Sequence, residues 1–281
     1  MKMKVLLIIS LLAVQISFAY DGIGYNNNKL IGVEADVRAE NIGGLVFDNC
    51  NWNFIRNELY RIDSINKHIF HSQSRYLFEI HINNSDTVDV DYLSEIIKNN
   101  YKLSIDSPKL IIATKPIYPR VKSLILTLNV FDSVSTPFLL GKFSDVAILV
   151  FSVKNGFTQY EFNTLIEVLT TKIKNISDLS IYDIHSLTIP DNTNNLEFLT
   201  SITFTGEGEL NGIEFLEYSK NLERICIKGF ESLDTNLILD ILMRMSNLKL
   251  FVCDCFIKER LIKSINEDKL NKKNKIKIDC Y

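Results

Sequence analysis

The stretch Leu222-Glu-Arg-Ile225-Cys-Ile227 decides the fold, because its spacing of apolar residues, L-x-x-L-x-L, recurs along the chain. A second copy, Leu248-Lys-Leu-Phe251-Val-Cys253, begins 26 residues later, and another, Leu199-Thr-Ser-Ile202-Thr-Phe204, begins 23 residues earlier. The last two apolar residues of each copy alternate with one other residue, which places both on the same face of a short strand. Self-similarity at a period of about two dozen residues is typical of repeat proteins.

The pattern continues in both directions from these three copies. Further matches begin at Ile42, Leu77, Asn100, Val121, Val146 and Lys273. Around residues 176–192 two registers fit, Ile176-Ser-Asp-Leu179-Ser-Ile181 and Ile184-His-Ser-Leu187-Thr-Ile189, and the overall spacing favours the first. Amphipathic stretches between the copies predict helices at 53–70, 212–220, 236–245 and 257–265.

These copies resemble those of the leucine-rich-repeat family, and the resemblance covers residues 42–281. Val121-Lys-Ser-Leu124-Ile-Leu126-Thr-Leu-Asn129 matches the longer family motif, L-x-x-L-x-L-x-x-N, including its asparagine. The resemblance implies an α/β fold, a right-handed solenoid with a parallel β-sheet on its concave face and helices on its convex face. The last three copies depart from the family, because aromatic residues replace the asparagine. We expect these residues to stack as a spine; they are Phe230, Phe256 and Tyr281.

The ends of the chain are predicted to differ from the repeats. Lys2 and Lys4 precede an apolar run at 5–14, and Ser17-Phe-Ala19 supplies small residues for cleavage before Tyr20, so residues 1–19 are expected to be a signal peptide. The run is shorter than the about 20 apolar residues that a membrane-spanning helix needs. A buried N-terminal helix or an uncleaved anchor remains the alternative.

A solenoid also needs end units that cover its core. Residues 20–41 are expected to form an N-terminal cap, with a strand near 30–37. The lysine-rich segment from about residue 270 is expected to belong to a C-terminal cap. With the leader removed, we expect a protein that is secreted or held in the secretory lumen and is not stably inserted in a membrane.

Composition restricts the class of function. The chain is 46% hydrophobic and 23% charged, which is typical of a globular protein, and its net charge is -3. Nucleic-acid binding is not expected, because the one basic cluster, 269–277, is too small for a cationic face. We find no phosphate-binding loop, no activated nucleophile and no zinc spacing in the sequence. The chain is therefore predicted to be no enzyme and to need no cofactor or metal.

The outward residues of the predicted central strands form a candidate binding face. These residues are Ile125, Thr127, Val150, Ser152, Ser180, Tyr182, Thr203 and Thr205. Ile125, Val150 and Tyr182 would form an apolar patch, which is often an interaction site. The alternative is that a loop covers these residues or that they are tolerated singly. The family resemblance implies a protein partner, because such solenoids mostly bind proteins.

Two covalent features are candidates as well. Cys255 and Cys280 occupy the same position in adjacent copies, so they form either a disulfide or two buried thiols. Cys253 should be buried, whereas Cys226 should be exposed and unpaired. Asn83-Asn-Ser85 and Asn175-Ile-Ser177 are N-glycosylation sequons, which also arise by chance.

Three functions are compatible with these observations. The first is a secreted module that recognises a protein partner. The Lys-, Asn- and Ile-rich composition indicates an AT-rich genome, and a secreted, divergent repeat protein from such a genome suggests a parasite effector or surface protein that acts on a host. The second is a structural component of an extracellular coat or wall, formed by self-association. The third, an enzyme on a repeat scaffold, would need a catalytic constellation that the sequence does not show.

Overall fold

The structure is a computed structural model that describes residues 22–34, 44–69, 78–97, 101–173, 175–264 and 276–280. The predicted signal peptide, residues 1–19, lies outside these ranges, as do residues 35–41 and 270–275 of the predicted caps. The chain divides into two compact units, Met1–Ile125 and Leu126–Tyr281. Both units are mixed α/β, and parallel strand pairs dominate in each.

The first unit begins with a hairpin and continues with parallel strands. Its elements are β1 (Gly22–Asn26), β2 (Lys29–Glu34), β3 (Gly44–Asp48), α1 (Trp52–Ile69), β4 (Phe78–Asn83), β5 (Thr87–Asp89), α2 (Val90–Ile96), β6 (Tyr101–Asp106) and β7 (Leu110–Ile112). The main sheet has the order β2-β1-β3-β4-β6, in which only the β1–β2 pair is antiparallel. β5 and β7 form a separate two-stranded parallel sheet.

In the second unit the strands lie in the sheet in the same order as in the chain. The boundary between the units falls within β8 (Val121–Leu128). The next elements are α3 (Ser135–Gly141), β9 (Ile148–Val153), α4 (Gln159–Lys172), β10 (Asp178–Thr188), a 3-10 helix (Asp191–Asn195), β11 (Ser201–Asn211), a 3-10 helix (Ile213–Tyr218), β12 (Arg224–Phe230), α5 (Thr235–Arg244), β13 (Leu250–Cys253), α6 (Cys255–Ser264) and β14 (Lys277–Cys280). Strands β9 to β14 pair in parallel, each with the next.

The apolar pairs of the repeated pattern form the core, as their alternation predicts. In the second unit one continuous in-register row joins Leu149, Leu179, Ile202, Ile225 and Phe251, all of them buried. In the first unit the equivalent row joins Leu45, Ile80 and Leu103. Full burial of such a side chain stabilises the folded state by about 2 kcal/mol, so each strand depends on its neighbours for stability.

The two competing registers at 176–192 turn out to lie on one long strand. The first copy is the repeat strand, because Leu179 pairs with Leu149 on one side and Ile202 on the other. The second copy extends that strand, and Leu187 pairs with Leu210 of the equally long β11. The pairing shifts after Ile181, close to Asp183, whose φ of 60° bends the backbone.

The register predicted for the last copy is wrong by two residues. Phe251 pairs with Ile278 and not with Ile276, and Cys253 pairs with Cys280. Side chains alternate with a period of two along a strand, so a shift by two residues leaves every side chain on the same face. The apolar pattern alone therefore could not distinguish the two registers.

The predicted aromatic spine is also wrong. Phe230 is buried, but Phe256 is 40% exposed on α6, and Tyr281 lies outside the described residues. Lateral asparagine bonds occur on both sides of the strands. After β9, Nδ2 of Asn155 donates to the carbonyl oxygen of Asn129 at 3.1 Å. Before β12, Nδ2 of Asn221 donates to the carbonyl oxygen of Glu197 at 2.7 Å. Asn247 makes the same bond one repeat later.

A β-hairpin of β1 and β2 forms one edge of the main sheet in the first unit. The strand expected near 30–37 is β2, Lys29–Glu34, and it is joined to β1 by Asn27 and Asn28, both with positive φ as tight hairpins require. The ring of Tyr25 stacks on Phe47 with centroids 5.0 Å apart, and its hydroxyl donates to Glu58 of α1 at 3.0 Å.

Candidate functional site

Most of the predicted binding residues lie on one face of the second unit's sheet. We call this the outer sheet face: the side chains of β9 to β12 that alternate with the buried apolar residues. Its members are Ile148, Val150, Ser152, Asp178, Ser180, Tyr182, Ser201, Thr203, Thr205, Arg224, Cys226 and Lys228. The opposite side chains of the same strands are fully buried. Alternation therefore fixes which side chains a partner could reach.

These side chains stand in lateral rows, because the four strands are in register. One row joins Val150, Ser180, Thr203 and Cys226. A second row joins Ile148, Asp178, Ser201 and Arg224. The third row is interrupted: Ser152 pairs with Tyr182 and Thr205 with Lys228, but the register shift in β10 separates the two pairs.

The exposure of the predicted residues is uneven. Ser152 and Ser180 are buried, so each offers a partner little accessible surface, and their role in binding stays a prediction. The hydroxyl of Ser152 donates to the carboxylate of Asp183, a bond that occupies it within the protein. Val150, Thr203 and Thr205 are half-buried. The small serine side chains sit below their larger neighbours and form the floor of the face.

The predicted apolar patch has a different arrangement. Val150 lies opposite Ser180, and Tyr182 lies opposite Ser152, so Val150 and Tyr182 are diagonal neighbours. Ile125 is half-buried and belongs to the first unit, while Thr127, also half-buried, lies beyond the boundary. Sequence reasoning missed Ile148, which is 41% exposed beside Val150 on β9. The same alternation that selected Val150 also selects Ile148, two residues earlier.

The β12 side of the outer sheet face is basic. Arg224 and Lys228 are exposed at either side of Cys226. Burial raises the pKa of the neighbouring Asp178 carboxyl, although a hydrogen bond from Ser201 and the charge of Arg224 act against that increase. Cys226 itself is buried, not exposed as predicted, and burial raises the pKa of its thiol. The face thus has an apolar part on β9 and β10 and a cationic part on β12.

The first unit carries a charged cluster on β4 and β6, at strand positions that alternate with the buried apolar residues. Oε1 of Glu79 accepts a hydrogen bond from Nε2 of His81 at 2.6 Å and also pairs with the ammonium group of Lys102. The hydrogen bond from His81 is the largest cause that lowers the pKa of Glu79 to about 2, with Lys102 adding to it against the effect of burial. All three side chains are less than one third exposed. The negative charge of Glu79 is therefore compensated within the cluster.

The two sequons differ in their surroundings. Asn83 is half-buried at the end of β4, in register between Asp48 and Asp106. Asn175 is exposed in the turn before β10. The serine of its sequon, Ser177, donates to the carbonyl oxygen of Ala147 at 3.1 Å. A glycan has room at Asn175 and little at Asn83.

Cysteine residues concentrate at the C-terminal end of the second unit. Cys255 and Cys280 form a disulfide, with Cα atoms 5.0 Å apart. Cys50, Cys226 and Cys253 are free and buried. Within the described ranges we find no group of three His, Cys, Asp or Glu side chains that could hold a metal ion. Nor does any described helix have the length and apolar character needed to cross a membrane.

Comparison of the chain with protein-family models and with curated proteins gave no match. The leucine-rich-repeat resemblance therefore rests on the spacing of apolar residues alone.

Proposed function

We propose that the chain is a right-handed leucine-rich-repeat solenoid, secreted after loss of residues 1–19, that binds a protein partner through its outer sheet face. In this proposal the outer sheet face is concave and the helices form the convex side. One observation carries the proposal: side chains of four neighbouring strands form two uninterrupted rows across a face whose opposite side is fully buried. A rigid sheet holds such rows without the loss of conformational freedom on binding that loops suffer.

The chemistry of the face favours a protein segment with mixed character. Ile148, Val150 and Tyr182 offer apolar and aromatic area, and aromatic residues are enriched where proteins bind one another. Arg224 and Lys228 would attract carboxylates of the partner. Two exposed cations on a chain of net charge -3 are too few for a nucleic-acid backbone.

The test compares capture of proteins by three immobilised forms of residues 20–281. The double variant Val150→Asp, Tyr182→Asp places two carboxylates in the apolar part of the face. The control, Tyr218→Asp, changes a side chain that is 65% exposed on a 3-10 helix and lies outside the face. The proposal requires a partner that the wild type and the control capture and the double variant does not. Equal capture by all three forms would exclude this face as the binding site.

A second candidate function, self-association into a coat, is favoured by a different surface. Val134 and Phe138 stand one helical turn apart at the start of α3 and are 80% and 68% exposed. Exposed apolar pairs of this kind can drive association between copies. Sedimentation velocity over a range of concentrations tests the idea with Phe138→Glu as the variant. A wild-type protein that stays monomeric at the highest concentration would eliminate the coat function.

A further inference from the structure

Cys280 lies within reach of two other cysteines. Its disulfide partner is Cys255, the first residue of α6. Its partner in the parallel pairing of β13 and β14 is Cys253. Neighbouring strands are about 4.8 Å apart, and disulfides join Cα atoms roughly 4.4 to 6.8 Å apart. Both pairings therefore have a suitable backbone separation.

The free thiol of Cys253 is directed at the last strand. Its Sγ lies 4.0 Å from the carbonyl oxygen of Asp279, the residue before Cys280. In-register residues of parallel strands point to the same face, so the side chains of Cys253 and Cys280 leave their strands in the same direction. The thiol is thus placed beside the disulfide that Cys280 makes.

The two possible partners of Cys280 differ in exposure. Cys253 is 1% exposed, whereas Cys255 is exposed at the start of α6. A disulfide between Cys255 and Cys280 fastens the helix to the last strand. A disulfide between Cys253 and Cys280 would join strand to strand in the interior and leave the sulfur of Cys255 at the surface.

We propose that the disulfide of Cys280 migrates from Cys255 to Cys253, and that Cys255 then serves as a surface site for mixed-disulfide formation. The thiolate of Cys253 attacks Sγ of Cys280 and forms the new S–S bond. The Cys255–Cys280 bond breaks, and Cys255 leaves with the electron pair as a thiolate. One S–S bond forms as another breaks, so the exchange needs no oxidant. The proton that Cys253 loses is matched by the proton that Cys255 can take up.

The second step uses a disulfide from outside the protein. The released thiolate of Cys255 attacks one sulfur of that external disulfide, forms a mixed disulfide and expels the other sulfur as a thiolate. The ligand class is therefore a small-molecule or protein disulfide. This site lies on α6 and is independent of the outer sheet face.

The environment of Cys253 limits how often the exchange can begin. Burial raises the pKa of the Cys253 thiol to about 12, and the carboxylate of Asp254 acts in the same direction, while Lys258 opposes both. The attacking species is the thiolate, so at neutral pH only a small fraction of molecules can begin the exchange. Migration is expected to be slow.

The first experiment asks whether the second pairing can form. Cys255→Ser and the double variant Cys253→Ser, Cys255→Ser are folded under oxidising conditions, alkylated in denaturant at low pH and mapped by mass spectrometry. We expect a Cys253–Cys280 linkage in the single variant and a fully alkylated Cys280 in the double variant. An alkylated Cys280 in a single variant that keeps the wild-type thermal midpoint would overturn the proposal.

The second experiment asks whether migration occurs in the native chain. Oxidised glutathione, free of reduced glutathione, is added to the wild type and to Cys253→Ser. We expect glutathione on Cys255 of the wild type. In the variant the same modification should form about tenfold more slowly or not at all, because the thiol beside Cys280 is gone. Equal modification of both proteins, or none of the wild type at alkaline pH, would refute migration.

Discussion

Gly229 of β12 lies so close to Gly206 of β11 that a Cβ atom at residue 229 would come within 1.9 Å of the Gly206 carbonyl oxygen. The φ angle of Gly229 is 88°, a left-handed conformation that residues with a Cβ rarely adopt. Its amide donates to Oδ2 of Asp254 at 2.7 Å. Three neighbouring repeats therefore meet at one glycine.

The first prediction follows from this contact. Gly229→Ala should lower the free energy of unfolding by about 2 to 3 kcal/mol, because the left-handed strain adds to the backbone clash. Urea unfolding followed by circular dichroism measures the change. Gly141→Ala is the control: its Cβ would lie 3.7 Å from the nearest atom, in ordinary contact, and helix propensity should make it neutral or slightly stabilising. Equal effects of the two substitutions would show that the close approach is not a constraint.

The alternation of apolar residues was sufficient to predict which side chains form the core. Leu179 and Ile202 were placed correctly because burial on one face of a strand is a property of that strand's own sequence. The same pattern left the register of Ile276 undetermined, because a shift by two residues leaves the alternation of the side chains unchanged. Local periodicity therefore fixes faces more reliably than it fixes pairing.

The candidate site was less accessible to sequence reasoning. Ser152 and Cys226 were assigned to the correct face, but their burial depends on the size and conformation of residues on neighbouring strands, such as Asp183 with its positive φ. No pattern within one strand carries that information. The exposed Ile148 could have been found, since it alternates with Val150.

A second prediction concerns the charged cluster of the first unit. The pKa of Glu79 is lowered to about 2 in the folded protein, first by its hydrogen bond with His81. A lowered pKa contributes stability above the unfolded value near 4.3, and that stability is lost as the pH falls towards 2. Glu79→Gln should therefore lower the unfolding free energy at pH 7 by about 2 kcal/mol and much less near pH 2.

Chemical unfolding at a series of pH values tests this dependence. The control is Glu259→Gln, on an exposed position of α6. Its difference from the wild type should be small and should not change with pH. A constant deficit for Glu79→Gln from pH 7 to pH 2 would mean that the cluster stabilises by packing rather than by charge.

A third prediction concerns Asp91 of α2, whose carboxylate binds the loop after β7 through hydrogen bonds. Its carboxylate accepts hydrogen bonds from the amide of Thr114 at 2.9 Å, the amide of Lys115 at 3.1 Å and the buried hydroxyl of Tyr118. Burial alone would raise the pKa of Asp91, but these donors hold it well below its usual range. Asp91→Asn should cost about 2 to 3 kcal/mol, since an amide nitrogen would then face donors.

Hydrogen exchange identifies where that loss occurs. At least one of the amides of Thr114 and Lys115 should exchange much faster in Asp91→Asn, because the amide side chain keeps only one acceptor oxygen for the donors around it. Tyr118→Phe is the matched variant: it removes a single donor and should cost only about 1 kcal/mol with both amides still protected. Unchanged exchange at both amides in Asp91→Asn would disprove the role of the carboxylate.

A fourth prediction separates the two sequons. A glycan on Asn83 would have to leave a half-buried position between Asp48 and Asp106 on paired strands, so chains modified there should fail to complete the sheet. Asn175 is exposed in a turn and can carry a glycan without disturbing a strand. When residues 20–281 are secreted from eukaryotic cells behind a host leader, the folded product should carry one glycan. Glycosidase digestion should therefore shift the wild type and Asn83→Gln but leave Asn175→Gln unchanged. A shift that persists in Asn175→Gln would place the glycan at Asn83 and would mean that the end of β4 is more open than its pairing indicates.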